Sequence, residues 1–208
     1  MVRTRRSFLA FLVLLFFAVP LHAAERPLLV CYGDSITAGY GLPYGKSYPD
    51  ALQQMLDRAG YRYKVVNRGT SGATTKDAVA GLPYILQMHP AVVIVEFGGN
   101  DGLRGLPVTQ TRANLDRILT ALQRARIRVL LAGITLPPDY GPTYIRQFQA
   151  MYRELAEKDH VALVPMLYKN LIHVPGTIQQ DGIHPTAKGA ELIAQTLLPA
   201  LEPLLKRQ

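Results

Sequence analysis

Short apolar runs alternate with amphipathic segments along the chain after its first 23 residues. Residues 28–32 are continuously apolar and end at Gly33, which is typical of a buried parallel strand. Apolar positions at helical spacing predict helices between such runs. The predicted strands are 28–32, 63–66, 91–97, 128–134 and 161–164, and the predicted helices are 47–58, 75–88, 107–125, 144–158 and 186–205.

This alternation predicts an α/β fold in which right-handed crossovers build a mostly parallel five-stranded sheet with helices on both faces. Gly81 and Pro83 lie inside the second predicted helix, where proline predicts a kink. No repeat or linker divides residues 24–208, so we predict a single domain. Ligands of open α/β sheets bind beyond the carboxyl ends of the strands.

The N-terminus has the pattern of a secretory signal peptide. Arg3, Arg5 and Arg6 precede an apolar run over 8–19, and Ala23 offers a cleavage site. This run is shorter than the ~20 residues that span a bilayer, so no stable membrane anchor is expected after cleavage. The pattern predicts a periplasmic or secreted protein.

Composition narrows the functional classes. The formal net charge is +8, but three of these charges lie in the predicted signal peptide and the others are scattered. Without a basic-aromatic motif, nucleic-acid binding is not predicted. The single cysteine, Cys31, cannot form an intramolecular disulfide, and its apolar surroundings predict a buried strand residue.

Polar residues suited to acyl transfer by serine follow the predicted strands in four short blocks. This reaction needs a nucleophile, a base, a group that orients the base, and donors for the oxyanion. Because the carboxyl ends of parallel strands meet at one edge, we expect the blocks to lie together. The blocks are residues 33–35, 67–72, 98–101 and 181–185.

Two serines compete as nucleophile. Ser35 follows the first strand, where Gly33 permits a tight reversal of the chain. Ser71 lies in a sequence that departs from the Gly-x-Ser-x-Gly elbow at Ala73. We therefore favour Ser35, although a simple turn serine has the same local sequence.

His184 is the candidate base, with Asp181 three residues earlier. A turn of this spacing can bring the carboxylate against imidazole Nδ1 and stabilise the imidazolium. Alternatively, Asp181 caps the following turn and His184 is a surface residue. Asp159 beside His160 is the other acidic residue adjoining a histidine.

Asn100 and Gly72 are candidate oxyanion donors. The amide of Asn100 follows the third strand and the N–H of Gly72 follows the second, and both can point at a carbonyl above Ser35. The N–H of Ser35 is a third candidate. The alternatives are turn chemistry for Asn100 and a left-handed backbone position for Gly72.

The blocks resemble, in order and spacing, those of the GDSL/SGNH hydrolase superfamily, over essentially all of the predicted mature chain. Residues 95–105 and 181–185 in particular are similar to the periplasmic thioesterase/protease/lysophospholipase enzymes of Gram-negative bacteria. The resemblance implies a three-layer, flavodoxin-like fold. It also implies a catalytic triad of Ser35, His184 and Asp181 and an oxyanion hole formed by Ser35, Gly72 and Asn100.

The resemblance further implies a hydrolase of acyl esters and thioesters, of the arylesterase, thioesterase or lysophospholipase type. We expect the protein to be a monomer. Small-molecule acyl donors, lysophospholipids among them, are the expected substrates, and no metal or cofactor is expected. Loops 102–107 and 136–142 are similar to those that border the acyl groove in relatives. The implied substrate-binding residues are Asp34, Gly102, Leu103, Leu136 and Pro137.

Two other functions fit parts of the sequence. Glycines in the segment 39–45 suggest a nucleotide- or phosphate-binding module, but their spacing and Pro43 depart from the dinucleotide fingerprint. A carbohydrate O-deacetylase of the same superfamily is the closer alternative. It would need a sugar groove, commonly lined with aromatic residues, and the chain has 11 tyrosines but no tryptophan.

Overall fold

Five short strands pair in parallel in the computed structural model, which describes residues 25–207. The strand order is β2-β1-β3-β4-β5, which confirms the predicted α/β sheet. The predicted signal peptide and its cleavage site after Ala23 lie outside the described residues. The strands are Leu28–Gly33 (β1), Lys64–Gly69 (β2), Val92–Glu96 (β3), Arg128–Ala132 (β4) and Ala162–Val164 (β5).

Helices form two groups that cover the sheet. One group consists of α2 packed on α7, and in the other α5 packs between α3 and α6. Short 3-10 helices at Pro138–Tyr140 and Glu202–Leu204 complete the described secondary structure. The α-helices are Ser35–Ala38 (α1), Tyr48–Arg58 (α2), Thr75–Gln87 (α3), Gly99–Leu103 (α4), Val108–Arg124 (α5), Pro142–Lys158 (α6) and Ala187–Leu201 (α7).

Three features differ from the sequence prediction. The helices α1 and α4 are too short to produce a helical hydrophobic period, so the apolar pattern gave no sign of them. The strand β2 continues to Gly69 through polar residues, since Asn67 and Arg68 still pair with β1. A polar sequence is tolerated there because β2 is an edge strand.

The core lies on both sides of the two central strands. All five residues of β3 are buried, and Cys31 on β1 is buried as expected. Continuous burial of both strand faces explains why these strands lack the alternation of apolar and polar residues seen in half-exposed sheets.

The register of the central strands brings their carboxyl ends to one level. Gly33 at the end of β1 pairs with Gly69 of β2 on one side and with Glu96 of β3 on the other. The segments that follow these three strands therefore leave the sheet side by side. They are the segments that hold three of the four polar blocks.

The helix α3 is continuous through Pro83. A capping box begins it, in which Thr74 Oγ1 accepts from the Asp77 N–H and the Asp77 carboxylate accepts from the Thr74 N–H. Pro83 has no N–H to donate to the carbonyl of Val79, so one hydrogen bond of the helix is missing. The proline is exposed, and packing does not require its ring.

The substitution Pro83→Ala should therefore stabilise the protein. We expect its free energy of unfolding to rise by about 1–2 kcal/mol, because a restored helical hydrogen bond outweighs the greater freedom of the unfolded chain. Urea denaturation followed by circular dichroism measures the change. The control is Gln87→Ala at another exposed position of α3, expected within about 0.5 kcal/mol of wild type. A loss of stability in Pro83→Ala would contradict the argument.

Candidate active site

Ser35 is the first residue of α1 and follows β1 with only Asp34 between them. Asp34 caps the helix, since its Oδ1 accepts from the Ile36 N–H at 3.0 Å. Asn67 fixes the same turn from β2, because its Nδ2 donates to the Thr37 carbonyl at 2.8 Å. Ser35 thus sits on a short turn held from two sides.

His184 joins Ser35 and Asp181 in one hydrogen-bonded line. Its Nε2 lies 2.9 Å from Ser35 Oγ, and its Nδ1 lies 2.6 Å from Asp181 Oδ2. The other Asp181 oxygen accepts from the N–H groups of Ile183 and His184 at 2.9 and 3.0 Å. The structure brings the predicted triad residues together, although Ser35 and His184 are 149 positions apart.

Asp181 is held in its ionised form. Desolvation raises the pKa of its carboxyl, but hydrogen bonds from the His184 ring and from two backbone N–H groups outweigh it and lower the pKa to about 2. A carboxylate in this position favours the proton on Nδ1, which leaves Nε2 free to accept a proton from Ser35.

The candidate oxyanion donors differ in their hydrogen bonding. Among residues 25–207, the N–H groups of Ser35 and Gly72 have no acceptor. The Asn100 amide nitrogen donates to Asp34 Oδ2 at 3.2 Å and to the Ala73 carbonyl at 3.0 Å. Two backbone donors are therefore available, while the Asn100 amide is held in place by two protein acceptors.

The rival groups lie apart from this line. Ser71 is exposed, and none of its hydrogen bonds within the described chain reaches a histidine. His160 follows the C-terminus of α6 with a positive φ of 47°, and its ring makes no hydrogen bond to any other residue in the range 25–207. The geometry therefore favours Ser35 over Ser71 and His184 over His160.

The residues expected at the acyl groove are only partly exposed. Gly102 lies against Leu136, because a Cβ on the glycine would come within 2.4 Å of the leucine side chain. Leu136 is buried and Leu103 is half-buried, whereas Pro137 is exposed. The structure thus places the two expected loops in contact with each other.

Tyrosine hydroxyls connect these loops further. Tyr140 donates to the Leu103 carbonyl at 2.7 Å, and Tyr144 donates to the Leu106 carbonyl at 2.6 Å. Their rings are stacked, with centroids 6.5 Å apart. The loop between α4 and α5 is therefore held by the 3-10 helix Pro138–Tyr140 and by the start of α6.

Asp34 differs from the expectation that it binds substrate. Its exposure is only 2 %, and both of its oxygens accept hydrogen bonds from the protein. The assignment to substrate binding is corrected on this ground, because a buried side chain with internal partners presents no atom to a ligand. Asp34 instead supports the turn of Ser35 and the amide of Asn100.

Two residues that sequence reasoning missed contact His184 or its turn. Gln179 Nε2 donates to the carbonyls of Tyr40 and Pro185, both at 2.8 Å, and so links the loop after α1 to the histidine turn. The Tyr40 ring lies 4.6 Å from the His184 ring, centroid to centroid. A lone glutamine and a loop tyrosine have no sequence signature, so only the fold could show these contacts.

Two further properties concern residues 25–207 alone. No group of three or more His, Cys, Asp or Glu side chains there is arranged to hold a metal ion. No helix in that part of the chain has the length and apolar character needed to cross a membrane.

Comparison with known proteins gives the family. The model of the GDSL-like Lipase/Acylhydrolase family matches residues 31–192. The chain belongs to this family.

Individual relatives agree with this membership. Esterase TesA of Pseudomonas aeruginosa is 41% identical over 184 residues, which cover 88% of this chain and 91% of that protein. Thioesterase 1/protease 1/lysophospholipase L1 of Escherichia coli K12 is 38% identical over 94% of this chain and 91% of its own. The crystal structure of TesA superposes with a TM-score of 0.83 at 40% identity, over 86% of this chain and 99% of that one. The predicted superfamily and fold are confirmed.

Removing the imidazole should raise the pKa of Asp181. In His184→Ala the backbone N–H donors remain but the ring is lost, so the pKa should rise from about 2 towards the ordinary Asp value of about 3.9. Carbon-13 NMR of the labelled carboxyl at pH 3–4 should show an ionised wild type and a partly protonated variant. An unchanged resonance in His184→Ala would contradict the hydrogen bond between the His184 ring and Asp181. The control is His160→Ala, in which the Asp181 resonance should stay as in wild type.

Proposed function

We propose that the protein is a serine hydrolase that cleaves acyl esters and thioesters through an acyl-enzyme intermediate on Ser35. The observation that carries the proposal is the hydrogen-bonded line Ser35–His184–Asp181 at the carboxyl edge of the sheet. Membership of an acylhydrolase family supports the same reaction. The fold alone would not, since folds of this type host many functions.

In the first step, Ser35 Oγ attacks the acyl carbonyl while its proton passes to His184 Nε2. Asp181 keeps the other ring nitrogen protonated and stabilises the imidazolium that forms. The His184 proton then passes to the alcohol or thiol as it leaves, and the acyl group remains on Ser35. Water repeats the sequence and releases the acid.

The oxyanion of each tetrahedral intermediate needs donors, and two unoccupied N–H groups support a hole formed by Ser35 and Gly72. Asn100 is the proposed third donor. Its amide nitrogen lies within hydrogen-bond distance of the Ala73 carbonyl, and the oxyanion would share or replace that acceptor. One donor of this kind is worth about 10²–10³ in rate.

The proposed substrates are small acyl donors, including lysophospholipids. The names of the Escherichia coli and Pseudomonas aeruginosa relatives support an esterase and thioesterase range. The acyl chain is proposed to lie along loops 102–107 and 136–142, where the half-buried Leu103 and the exposed Pro137 supply apolar surface. The buried Gly102 and Leu136 pack against each other and support these loops. All the proposed catalytic groups come from one chain, so a monomer suffices.

We also propose that residues 1–23 direct export to the periplasm and are then removed. The basic N-terminus, the apolar run over 8–19 and the small residue Ala23 support this proposal.

Export is tested by expression of the full chain in a Gram-negative host. The periplasmic fraction should contain a protein whose N-terminal sequence starts at Ala24. An uncleaved N-terminus, or a protein confined to the cytoplasm or the membrane, would contradict the proposal.

The nucleophile is tested by Ser35→Ala. We expect kcat on p-nitrophenyl esters to fall at least ~10³-fold with an unchanged unfolding midpoint, because within residues 25–207 no other hydroxyl is hydrogen-bonded to His184. A fluorophosphonate probe should label wild type but not this variant. The matched control is Ser71→Ala, at an exposed serine. This variant should still be labelled by the probe, and its kcat should stay within about twofold of wild type.

The reverse result, labelling lost in Ser71→Ala and kept in Ser35→Ala, would move the nucleophile. Wild type that hydrolyses neither p-nitrophenyl nor CoA esters across a series of acyl lengths would overturn the proposed function itself.

A further inference from the structure

Glu96 is a buried acidic residue that the proposed reaction does not use. It ends β3 directly below the turn of Ser35, and its exposure is only 1 %. Burial of an acidic side chain costs free energy unless partners compensate for it. The residues around it show what this carboxyl does.

One oxygen of Glu96 holds both ends of the turn that carries Ser35. Oε2 accepts from the Asp34 N–H at 3.3 Å and from the Thr37 hydroxyl at 2.8 Å. Tyr48 extends this network from α2, since its hydroxyl lies 2.9 Å from Thr37 Oγ1. The residues on both sides of Ser35 and Ile36 are thus tied to one carboxyl oxygen.

The carboxyl lies so close to the backbone that only glycine fits above it. A Cβ on Gly33 would come within 2.6 Å of Glu96 Oε2 and 2.0 Å of Thr37 Oγ1. Contacts this short displace atoms or force the chain apart. The end of β1 therefore rests directly on the Glu96 carboxyl.

A second connection leads from Glu96 to the candidate oxyanion hole. Glu96 Oε2 accepts from the backbone N–H of Asp34, and Asp34 Oδ2 accepts from the Asn100 amide at 3.2 Å. The other Glu96 oxygen, Oε1, is buried and has no hydrogen-bond partner among residues 25–207. Glu96 thus reaches Asn100 through a single intermediate residue. Asp34 is one of the two acceptors that orient the Asn100 amide, the other being the Ala73 carbonyl.

We propose that Glu96 is a positioning residue for the reaction: it fixes the Ser35 turn through Asp34 and Thr37, and through Asp34 it sets the direction of the Asn100 amide. This inference rests on the proposed function. It adds a residue that touches neither substrate nor His184 and acts through groups that do.

The protonation of the pair follows from the same contacts. Two buried carboxylates that lie close together repel each other, so ionisation of one disfavours ionisation of the other. Burial and the charge of Asp34 raise the pKa of Glu96 well above its usual range. Burial also raises the pKa of Asp34, which hydrogen bonds and the charge of His184 offset in part, to about 6. Near neutral pH, Glu96 is therefore the carboxyl of the pair that is harder to ionise.

The other titratable groups near Glu96 are neutral at that pH. Burial raises the pKa of each of them, so none supplies a charge that could ionise Glu96. These groups are Cys31 on β1, Tyr48 on α2, Tyr152 on α6 and Tyr168 in the segment after β5.

These contacts predict different effects for two substitutions of Glu96. Glu96→Gln keeps a side-chain oxygen that accepts from the Asp34 N–H and the Thr37 hydroxyl, in a side chain that cannot ionise. It should keep kcat within about threefold and leave the pH profile between pH 5 and 8 unchanged. Glu96→Leu keeps a similar side-chain volume but removes the acceptor for both the Asp34 N–H and the Thr37 hydroxyl. Its kcat should fall about tenfold to hundredfold at unchanged KM, because the Asn100 donor is misdirected while substrate contacts remain.

Gln53→Leu is the matched control for loss of a bridging polar side chain. Gln53 also joins a helix to a strand, since it donates to the Tyr63 carbonyl and accepts from the Val65 N–H. It lies at the other end of the sheet, so its loss should lower the unfolding midpoint and leave kcat within about twofold of wild type.

If Glu96→Leu fails to fold, Thr37→Val tests the same contact at constant shape. It should lower kcat about threefold to tenfold at unchanged KM, and Thr37→Ser should restore the rate.

Each outcome bears on the proposal. A Gln variant as slow as the Leu variant would show that the charge of Glu96 matters and would overturn the inference. Full activity in Glu96→Leu, or in Thr37→Val where that variant stands in, would overturn it too. Wild type without ester hydrolysis or fluorophosphonate labelling would instead overturn the proposed function.

Discussion

The absence of a side chain at Gly33 is the constraint on which the site depends. Gly33 ends β1 between Gly69 of β2 and Glu96 of β3, and α1 folds back over it so closely that a single added carbon atom would collide with Thr37. This close approach sets Ser35 directly above the sheet edge. Without it, the serine and the segments after β2 and β3 would not share one level.

Around Gly33, a few polar side chains hold the site together by hydrogen bonds, and most of them link two separate segments of the chain. Asp34 caps α1 and holds Asn100, Asn67 ties β2 to α1, and Gln179 ties the loop after α1 to the histidine turn. The same logic recurs at α4. Gly98 allows the Tyr152 hydroxyl to reach the Phe97 carbonyl at 2.9 Å, just before Asn100. The site is positioned by short polar contacts between elements far apart in sequence.

The sequence predicted the elements whose physics is local and strong. Continuous apolar runs predicted the strands, and amphipathic spacing predicted the five longer helices, most of them within a few residues of their ends. The order of the polar blocks after the strands predicted the line of Ser35, His184 and Asp181, because parallel strands present their carboxyl ends together.

What the sequence could not supply depends on contacts across the fold. In the sequence, Glu96 is simply the polar residue near the end of an apolar strand. Only its register opposite Gly33 shows that its carboxyl contacts the turn of Ser35. Asp34 was assigned to substrate binding through a resemblance, but burial decides otherwise. The helices α1 and α4 have too few residues to show a period, and caps and close packing define them instead.

The two phenolic hydroxyls over the loop between α4 and α5 have a consequence for evolution and design. Tyr140 and Tyr144 donate hydrogen bonds to the backbone carbonyls of Leu103 and Leu106. The loop between α4 and α5 and the segment that carries the two tyrosines are therefore held together as one unit. A chimera that takes only one of these two segments from a relative would retain both hydrogen bonds only by chance. Variation in the loop and in the opening of α6 is therefore coupled, and the two segments should be exchanged as a pair.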